Sequence, residues 1–322
     1  MADAGERLTD GIEPLTGAPI YSLYGKTRKP TREMLNGLDI LIFDMQDIGV
    51  RYYTYISTLT LTMEAGAEKG IPVIVLDRLN PLGRDMKGPV LDIEFASFVG
   101  MHPIPVRHGM TIGELATMIN EEGWLSGGVK ANLKVIQYEG KPKKDDQIAA
   151  FTPSPSPNMP NRKTALNYVG LCLLEGTTLS EGRGTDMPFK VLGAPFIDSK
   201  KLLEAMLPFL HQNDVIDTVS FIPRSLPGKS SYPKYQDELC HGLRIQNMEN
   251  PINTTVHLFQ VLQTLYPDKF QFLESNFIDK LYGSNALRMT VQAGNDVSQM
   301  ILGWELNLAQ FHEMSKKYHL YP

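Results

Sequence analysis

The sequence predicts an α/β fold, in which an N-terminal parallel sheet packs against helices and a mixed α+β part follows. Three observations carry this prediction. Two continuous apolar runs, 38–44 and 71–77, each end in aspartate, which is typical of strands buried on both faces. A segment with helical spacing joins them, and the pattern changes beyond 140–160. We therefore expect an α/β domain over 1–150 and a second domain over 151–322.

The first elements form one βαβ unit. The run 57–70 has apolar residues at helical spacing and ends at Gly70, a common C-terminal stop for a helix. Strand, helix and strand at this spacing predict a right-handed crossover between parallel strands. The carboxyl ends of the two strands should therefore lie at the same edge of one sheet.

The remaining segments extend the sheet and then change in character. The proline-broken run 102–109 predicts an edge strand or an extended loop. A helix is expected over 111–125, because Thr111 and Glu114 have the spacing of a capping box. Residues 132–139 predict a further strand, and the charged, Pro/Ser-rich stretch 140–160 predicts a surface crossing at a domain boundary. Amphipathic helices are expected beyond it at 199–210, 253–270 and 297–318.

The composition is that of a globular chain. Of the 322 residues, 42% are hydrophobic and 21% are charged, and this length is enough to bury a core. The net charge of −5 disfavours a general nucleic-acid-binding protein, and no apolar run has the length of a membrane span. The two cysteines form no zinc motif, and Cys172, in the apolar run VGLCLL, is expected to be a buried thiol.

Polar side chains follow the predicted strands, at the edge where ligands bind in open α/β sheets. The loop after the first strand carries carboxylate, amide, guanidinium and phenol groups: Asp44, Gln46, Asp47, Arg51, Tyr53 and Tyr55. The next two strand ends contribute Asp77, Arg78, Asn80, Arg107 and His108. Each of these also has an ordinary structural interpretation as a cap, a turn, an ion-pair partner or a packed ring. The density of polar groups in these loops predicts a binding site.

A second group of candidates lies in the stretch CLLEGTTLSEGRGTDMPF, residues 172–189. Glycoside hydrolysis requires a carboxylic acid to protonate the leaving oxygen and a second group to assist at the anomeric carbon. Glu175 directly follows an apolar run, where desolvation favours a general acid, and Arg183 lies between two glycines, where it can clamp a carboxylate. The alternative interpretation is that Glu175 forms a turn and Arg183 neutralises it.

Several separated segments resemble a known family. They are YSLYGKTRKPT, FDMQDIGVRYYTYISTL, VLDRLNPLG, GPVLD, SFVGMHPIPVRHGMTIGELA, SPSPNMP and CLLEGTTLSEGRGTDMPF, with LYPDKF, IDKLYGS and KKYHLYP in the tail. Together they are similar to the NamZ-type exo-β-N-acetylmuramidases, formerly catalogued as a domain of unknown function. The resemblance covers essentially the whole chain.

The resemblance implies a Rossmann-like parallel sheet domain joined to a smaller mixed α+β C-terminal domain, with the site in the cleft between them. The implied reaction removes terminal N-acetylmuramic acid (MurNAc) from the non-reducing end of peptidoglycan fragments such as MurNAc–GlcNAc. The partner is then a peptidoglycan-derived sugar or muropeptide. No nucleotide cofactor or metal is implied, and the sequence has no dinucleotide fingerprint or P-loop. Members usually work outside the cytoplasm, so a periplasmic or secreted location is expected, although this sequence opens without a signal peptide.

The matched motifs carry over a set of site residues. The catalytic candidates are Glu175, Asp47 and His108. The candidates for substrate binding are Lys26, Asp44, Gln46, Arg51, Tyr53, Arg78, Asn80, Asn158 and Arg183. The lactyl carboxylate of muramic acid needs a cation, and Arg51, Arg183 and Lys26 are the candidates. Asn158 or Gln46 would serve the 2-acetamido group.

The start of the chain departs from the family. Family members have a preceding segment that supplies the first strands of the sheet. It ends in a Pro-Glu-His-Gly-like motif, just before the position that ADAGE (2–6) occupies here. The glutamate of that motif is the family's favoured catalytic residue. We therefore expect an N-terminally incomplete chain whose sheet lacks its first strands and exposes an edge.

Two other functions stay open on the sequence. The first is an inactive truncated homologue that binds muropeptides without cleaving them, which a turnover assay alongside a sugar-binding assay would distinguish. The second is a metal-dependent hydrolase that uses Asp44, Asp47, Asp77 and His108, which sensitivity to a chelator would test.

Overall fold

The computed structural model describes residues 10–139, 151 and 154–321. The strands in these ranges are β1 (Gly11–Ile12), β2 (Pro19–Ile20), β3 (Leu41–Phe43), β4 (Val73–Leu76), β5 (Lys87–Val90), β6 (Pro105–Arg107), β7 (Leu133–Ile136), β8 (Val191–Ala194), β9 (Val215–Phe221) and β10 (Cys240–Asn247). The α-helices are α1 (Tyr55–Lys69), α2 (Ile112–Glu121), α3 (Arg162–Leu171), α4 (Ser199–Met206), α5 (Pro251–Leu265), α6 (Phe277–Tyr282), α7 (Ala286–Gln292), α8 (Ser298–Leu302) and α9 (Trp304–Ser315). The expected truncation at the start of the chain and most of the predicted crossing at 140–160 concern residues outside this description.

A three-stranded parallel sheet, in the order β3-β4-β7, organises the first half of the chain. Leu41 pairs with Val73, and Val73 pairs with Leu133. Helix α1 connects β3 to β4, and α2 lies between β4 and β7 in the chain. The two helices contact each other and share one hydrophobic core with the sheet. The predicted βαβ unit and the Rossmann-like class of this domain are therefore confirmed.

Alternate residues of β3 face in opposite directions. Phe43 belongs to the core that α1 and α2 share with the sheet, whereas Ile42 keeps 61% of its surface exposed. The prediction that the first strand is buried on both faces is therefore wrong for the described residues. Ile74 and Lys134, which neighbour Ile42 on the same face of the sheet, are not buried either, so the described residues pack against only one face of this sheet.

Local signals in the sequence set the ends of the two helices. Gly70, with a φ of 78°, forms the left-handed C-cap of α1 that the sequence predicted. Thr111 caps α2, because its side chain accepts the Glu114 N–H while the Glu114 carboxylate accepts the Thr111 N–H. Helix α2 ends at Glu121, before the predicted bound at 125, because Gly123 turns the backbone to a φ of 68°.

The segment 102–109 forms an edge strand outside the parallel sheet. Strand β6 pairs antiparallel with β5, and Val50 forms an isolated bridge with Arg107. This bridge places the loop that follows β3 beside the end of β6. Of the two predicted possibilities, an edge strand or an extended loop, the structure has the edge strand, and the bridge brings its polar end to the first sheet.

A three-stranded antiparallel sheet, in the order β8-β10-β9, and several packed helices form the second half. Helix α3 packs against α5, and α4 packs against β9 and β10. The helices predicted at 199–210 and 253–270 correspond to α4, with the 3-10 turn Leu207–Phe209 after it, and to α5. The long helix predicted over 297–318 is instead two helices, α8 and α9, which meet at Gly303.

Two hydrophobic cores combine residues from both halves of the sequence. The larger core, in the second half, also contains Val50, Tyr52 and Val106. The smaller core, around the parallel sheet, takes Phe311 and Tyr318 from the end of the chain. The place of the domain boundary between 150 and 151 therefore stays a prediction, since packing crosses it in both directions.

Cys172 is a free, buried thiol, as the sequence predicted. No helix within the described ranges is long and apolar enough to cross a membrane.

Candidate active site

The loop after β3 carries Asp47 into a buried pair with His108. His108 Nε2 lies 3.3 Å from Asp47 Oδ2, and the two residues are 0% and 5% exposed. This is ion-pair spacing without the alignment of a hydrogen bond. His108 Nδ1 accepts the Met110 N–H at 3.3 Å, so the Nε2 edge of the ring is the one that faces Asp47. Two of the three catalytic candidates therefore lie together.

The Asp47 carboxylate is held by the turn that follows it. Its Oδ2 accepts the Gly49 N–H at 2.6 Å, while no described residue donates a hydrogen bond to the buried Oδ1. An unsatisfied buried acceptor is unfavourable by roughly 1–3 kcal/mol. A carboxylate fixed in this way beside an imidazole is suited to exchange a proton with a bound hydroxyl group or water.

Asn80 and Gln46 brace the same loop. Asn80 Nδ2 donates to the Met110 carbonyl at 3.0 Å, and its Oδ1 accepts the Leu82 N–H at 2.8 Å. Gln46 Nε2 donates to the Asp47 carbonyl at 2.6 Å. Gln46 Nε2 also donates to the Leu79 carbonyl at 3.4 Å, so the bonds of the two amides join the three predicted strand ends, although each amide already has backbone partners.

Asp44 and Arg78 form an ion pair at the exposed ends of β3 and β4. Both side chains are exposed, at 48% and 40%, so the pair contributes little to stability. Lys26 is also exposed. These three residues are accessible from solvent, unlike the buried pair of Asp47 and His108.

Arg51 was one of three candidates for the lactyl carboxylate, and its buried position does not favour that role. Its guanidinium is 1% exposed and donates to four backbone carbonyls, at distances of 2.7–3.0 Å: those of Pro89, Ile104, Leu281 and Tyr282. Burial lowers the pKa of Arg51 to about 10. The side chain instead ties the first half of the chain to α6 in the second.

Tyr53 belongs to an aromatic cluster that joins the two candidate groups. Its ring contacts Tyr168 on α3, with ring centroids 6.2 Å apart, and Tyr168 contacts Phe189 at 4.8 Å. Burial raises the pKa of Tyr53, and the nearby charge of Asp47 adds to the shift. Burial also raises the pKa of Tyr168, with a contribution from Glu175. The charges of Asp47 and Glu175 therefore act on different rings of the same cluster.

Glu175 and Arg183 form an ion pair beside this cluster. Arg183 donates to Glu175 Oε1 from Nη2 at 2.8 Å and from Nε at 3.3 Å, and the two side chains are partly exposed. The Arg183 guanidinium also lies over the Phe189 ring, 5.0 Å from its centroid. In this arrangement Glu175 accepts hydrogen bonds, which suits a base or an electrostatic stabiliser better than a proton donor.

Glu181 and Lys234 extend this pair into a network of four charges. The buried Glu181 lies 3.5 Å from Arg183 Nε and 3.2 Å from Lys234 Nζ. Burial acts to lower the pKa of Arg183, but the charges of Glu175 and Glu181 outweigh it and raise that pKa. Lys234 was not predicted, because it lies more than fifty residues away in a turn-rich stretch without a motif.

Asn158 is buried and bonds to the segment that also carries Lys234. Its Nδ2 donates to the Lys229 carbonyl at 2.8 Å. The Ser-Pro-Asn turn is therefore attached to the chain around Lys229, a contact that no motif in the sequence indicates. The described contact is structural, and a role in substrate binding stays a prediction.

Asp77 does not join Asp44, Asp47 and His108 in a metal site. Its carboxylate accepts hydrogen bonds from the Thr111 hydroxyl, the Gly113 N–H and the Tyr321 hydroxyl, at 2.7–2.9 Å. No group of three or more His, Cys, Asp or Glu residues with metal-binding geometry occurs in the part of the chain that the structure describes. The metal-dependent alternative is therefore not favoured by this geometry.

Models of one protein family match both halves of the chain. The N-terminal model of the exo-β-N-acetylmuramidase NamZ matches residues 1–163, and the C-terminal model matches residues 166–321. A peptidoglycan β-N-acetylmuramidase, NamZ of Bacillus subtilis (strain 168), is 43% identical over 329 aligned positions. The alignment covers 99% of this chain and 76% of that protein.

Two solved structures share the fold. Both are DUF1343 family proteins of Bacteroides fragilis NCTC 9343. The first superposes with a TM-score of 0.86 at 31% identity, over 97% of this chain and 82% of that one. The second has a TM-score of 0.79 at 34% identity, over 96% and 82% of the two chains.

Proposed function

Because the chain belongs to the exo-β-N-acetylmuramidase NamZ family, we infer that it is a glycoside hydrolase that releases terminal N-acetylmuramic acid from peptidoglycan fragments. The observation that carries this conclusion is the family match over both halves of the chain. The matched ranges include all the residues of the two candidate groups, the Asp47–His108 pair and the Glu175–Arg183 pair.

The two pairs are proposed to divide the chemistry of glycoside cleavage. Hydrolysis breaks the bond between the anomeric carbon and the leaving oxygen, which takes up a proton, and water supplies the hydroxyl group at the anomeric carbon. Asp47 and His108, buried and adjacent, are proposed to move a proton. Glu175, which accepts hydrogen bonds from Arg183, is proposed to act as a base or to stabilise positive charge on the sugar ring.

The groups that distinguish muramic acid have fewer candidate partners in the structure than in the sequence. With Arg51 buried, Arg183 and Lys26 remain for the lactyl carboxylate. Arg183 is the stronger candidate, because it is partly exposed and already beside Glu175. Gln46 and Asn158 remain the candidates for the 2-acetamido group, and Asp44, Tyr53, Arg78 and Asn80 remain candidate lining residues.

The location and the partners of the protein follow from the substrate. Peptidoglycan lies outside the cytoplasm, so we propose a periplasmic or secreted location. The net charge of −5 makes nucleic acid an unfavourable partner.

The experiment that tests the function is release of free MurNAc from MurNAc–GlcNAc and from a chromogenic aryl β-MurNAc glycoside. Release from both substrates is expected, with no release from the matching aryl β-GlcNAc glycoside, which lacks the lactyl group. A cooperatively melting chain that binds MurNAc–GlcNAc but releases nothing would instead establish the inactive homologue. Activity lost in a chelator and restored by a divalent metal would favour the metal-dependent alternative.

A further inference from the structure

Residues 224–237 form a closed loop that is attached to the segment carrying Arg183 and Gly184. The Arg224 N–H donates to the Gly184 carbonyl at 2.7 Å, and the Asp237 N–H donates to the Pro223 carbonyl at 2.8 Å. An ion pair of 2.8 Å between Arg224 and Asp237 also joins the two ends. Compact loops whose ends meet in this way are frequently functional. We call this segment the rim loop.

The rim loop is attached to both sides of the second candidate group. The Lys229 carbonyl accepts the side-chain N–H of Asn158, in the Ser-Pro-Asn turn. Lys234 Nζ donates to the carbonyls of Leu174 and Leu179, each at 2.8 Å. The stretch between Lys229 and Lys234 therefore runs from Asn158 to the neighbourhood of Glu175 and Arg183.

The backbone of the rim loop is held in unfavourable geometry after this stretch. Tyr235 and Asp237 have φ values of 54° and 65°, in the left-handed region that residues with a Cβ atom seldom adopt. The Tyr235 hydroxyl donates to the Thr178 carbonyl at 2.7 Å, which fixes the strained residue on the segment below. Such strain persists only where surrounding contacts determine the conformation, and it concentrates at functional sites.

Tyr232 is the one residue of this stretch that presents a large apolar side chain to solvent. It is 93% exposed, although its neighbours Ser230 and Pro233 are buried. The ring is thus held out from a backbone that is fixed on both sides. A tyrosine in such a position offers a flat apolar face and a hydroxyl group with little conformational freedom to lose on binding.

We propose that Tyr232 is the platform for the leaving sugar of the substrate, so that the rim loop forms the aglycone subsite. This inference rests on the proposed function. An exo-acting enzyme holds the terminal sugar at the reacting groups, and the rest of the substrate extends outward across the rim. A pyranose ring has an apolar face of C–H groups, which packs on an aromatic ring. Tyr232 therefore determines specificity for the GlcNAc unit.

The test compares a substrate that has a leaving sugar with one that has none. MurNAc–GlcNAc and methyl β-MurNAc would be given to the wild type, Tyr232→Ala and Tyr232→Trp. We expect Tyr232→Ala to raise KM for MurNAc–GlcNAc roughly fivefold or more, with little change in kcat, and Tyr232→Trp to retain the low KM. Neither variant should change the kinetics with methyl β-MurNAc more than about twofold.

A matched control is Leu306→Ala, which removes another exposed apolar side chain, on α9, and should leave both substrates unaffected. Since Tyr232 is exposed, its variants should melt as the wild type does. An unchanged KM for MurNAc–GlcNAc in Tyr232→Ala, or an equal rise for both substrates, would overturn the subsite. A wild type that releases no MurNAc from either substrate would refute the proposed function, and the subsite with it.

Discussion

Three cations were candidates for the lactyl carboxylate, and the structure gives them three different environments. Arg51 is buried against four carbonyls, Arg183 is paired with Glu175, and Lys26 is exposed. In the sequence the three looked equivalent, because residue type and motif do not determine which way a long side chain points. That direction depends on which acceptors the fold brings within reach.

The role of Glu175 can be tested by replacing one oxygen of its carboxylate with nitrogen. Glu175→Gln keeps the shape of the side chain but removes the negative charge and the ability to take a proton. We expect kcat for MurNAc release to fall on the order of a hundredfold or more, with little change in melting temperature. Glu204→Gln, at an exposed position on α4, is the control and should be fully active. A wild-type rate in Glu175→Gln would show that Glu175 is not a catalytic residue.

At the scale of elements, the tight turn after β3 decides where Asp47 lies. Gly49 has a φ of 85°, and a Cβ atom placed on it would lie 2.3 Å from Asn80 Oδ1. The same residue donates its N–H to Asp47. The sequence showed a glycine in a polar loop, and the structure adds two reasons why a side chain does not fit: the positive φ and the approach of Asn80 from the next strand end.

We therefore expect Gly49→Ala to lower kcat at least tenfold and the free energy of unfolding by roughly 1–3 kcal/mol. The added methyl group would displace the turn that holds Asp47, and Asp47 would move away from His108. Gly70→Ala is the matched control, since Gly70 also has a positive φ, of 78°, but nothing lies within 4 Å of its Cβ position. Gly70→Ala should therefore lower the free energy of unfolding and leave kcat unchanged. Activity assays and urea unfolding of both variants measure the contrast, and equal kcat values would contradict it.

A buried histidine between elements makes stability depend on pH. His102 contacts Thr60 of α1, with Nε2 2.8 Å from Oγ1, and stacks on Trp124. Burial lowers the pKa of His102 to about 4. Below the ordinary histidine pKa of about 6.5, the unfolded chain therefore binds a proton that the folded chain does not. The stability that the neutral, buried His102 contributes is fully present above a pH of about 6.5 and is lost as the pH falls toward about 4.

From this shift we expect the free energy of unfolding to fall by roughly 2 kcal/mol between pH 7 and pH 5 through His102 alone. Urea unfolding at the two pH values measures the fall. His102→Gln, which has no titrating group, should show a correspondingly smaller decrease. Parallel losses in the wild type and the variant would show that other groups dominate.

At the scale of the whole molecule, Arg51 links the two halves of the chain. It donates to carbonyls of Pro89 and Ile104 in the first half and of Leu281 and Tyr282 in the second. Arg51→Met would remove the four hydrogen bonds that the guanidinium donates to these buried carbonyls. We expect the free energy of unfolding to fall by about 3 kcal/mol or more. Arg78→Met, at the exposed pair with Asp44, should lose less than about 1 kcal/mol. Similar losses in thermal or urea unfolding of the two variants would refute the proposed link.

The sequence by itself determined the βαβ unit, the caps at Gly70 and Thr111, and the two stretches that carry the candidate groups. These depend on apolar periodicity and on short-range turn and capping chemistry, which neighbouring residues fix among themselves. Only the tertiary structure decided that Asp47 meets His108, that Arg51 is buried and that Lys234 reaches Glu181. Such contacts join residues between 38 and 231 positions apart, and packing, rather than local preference, selects them.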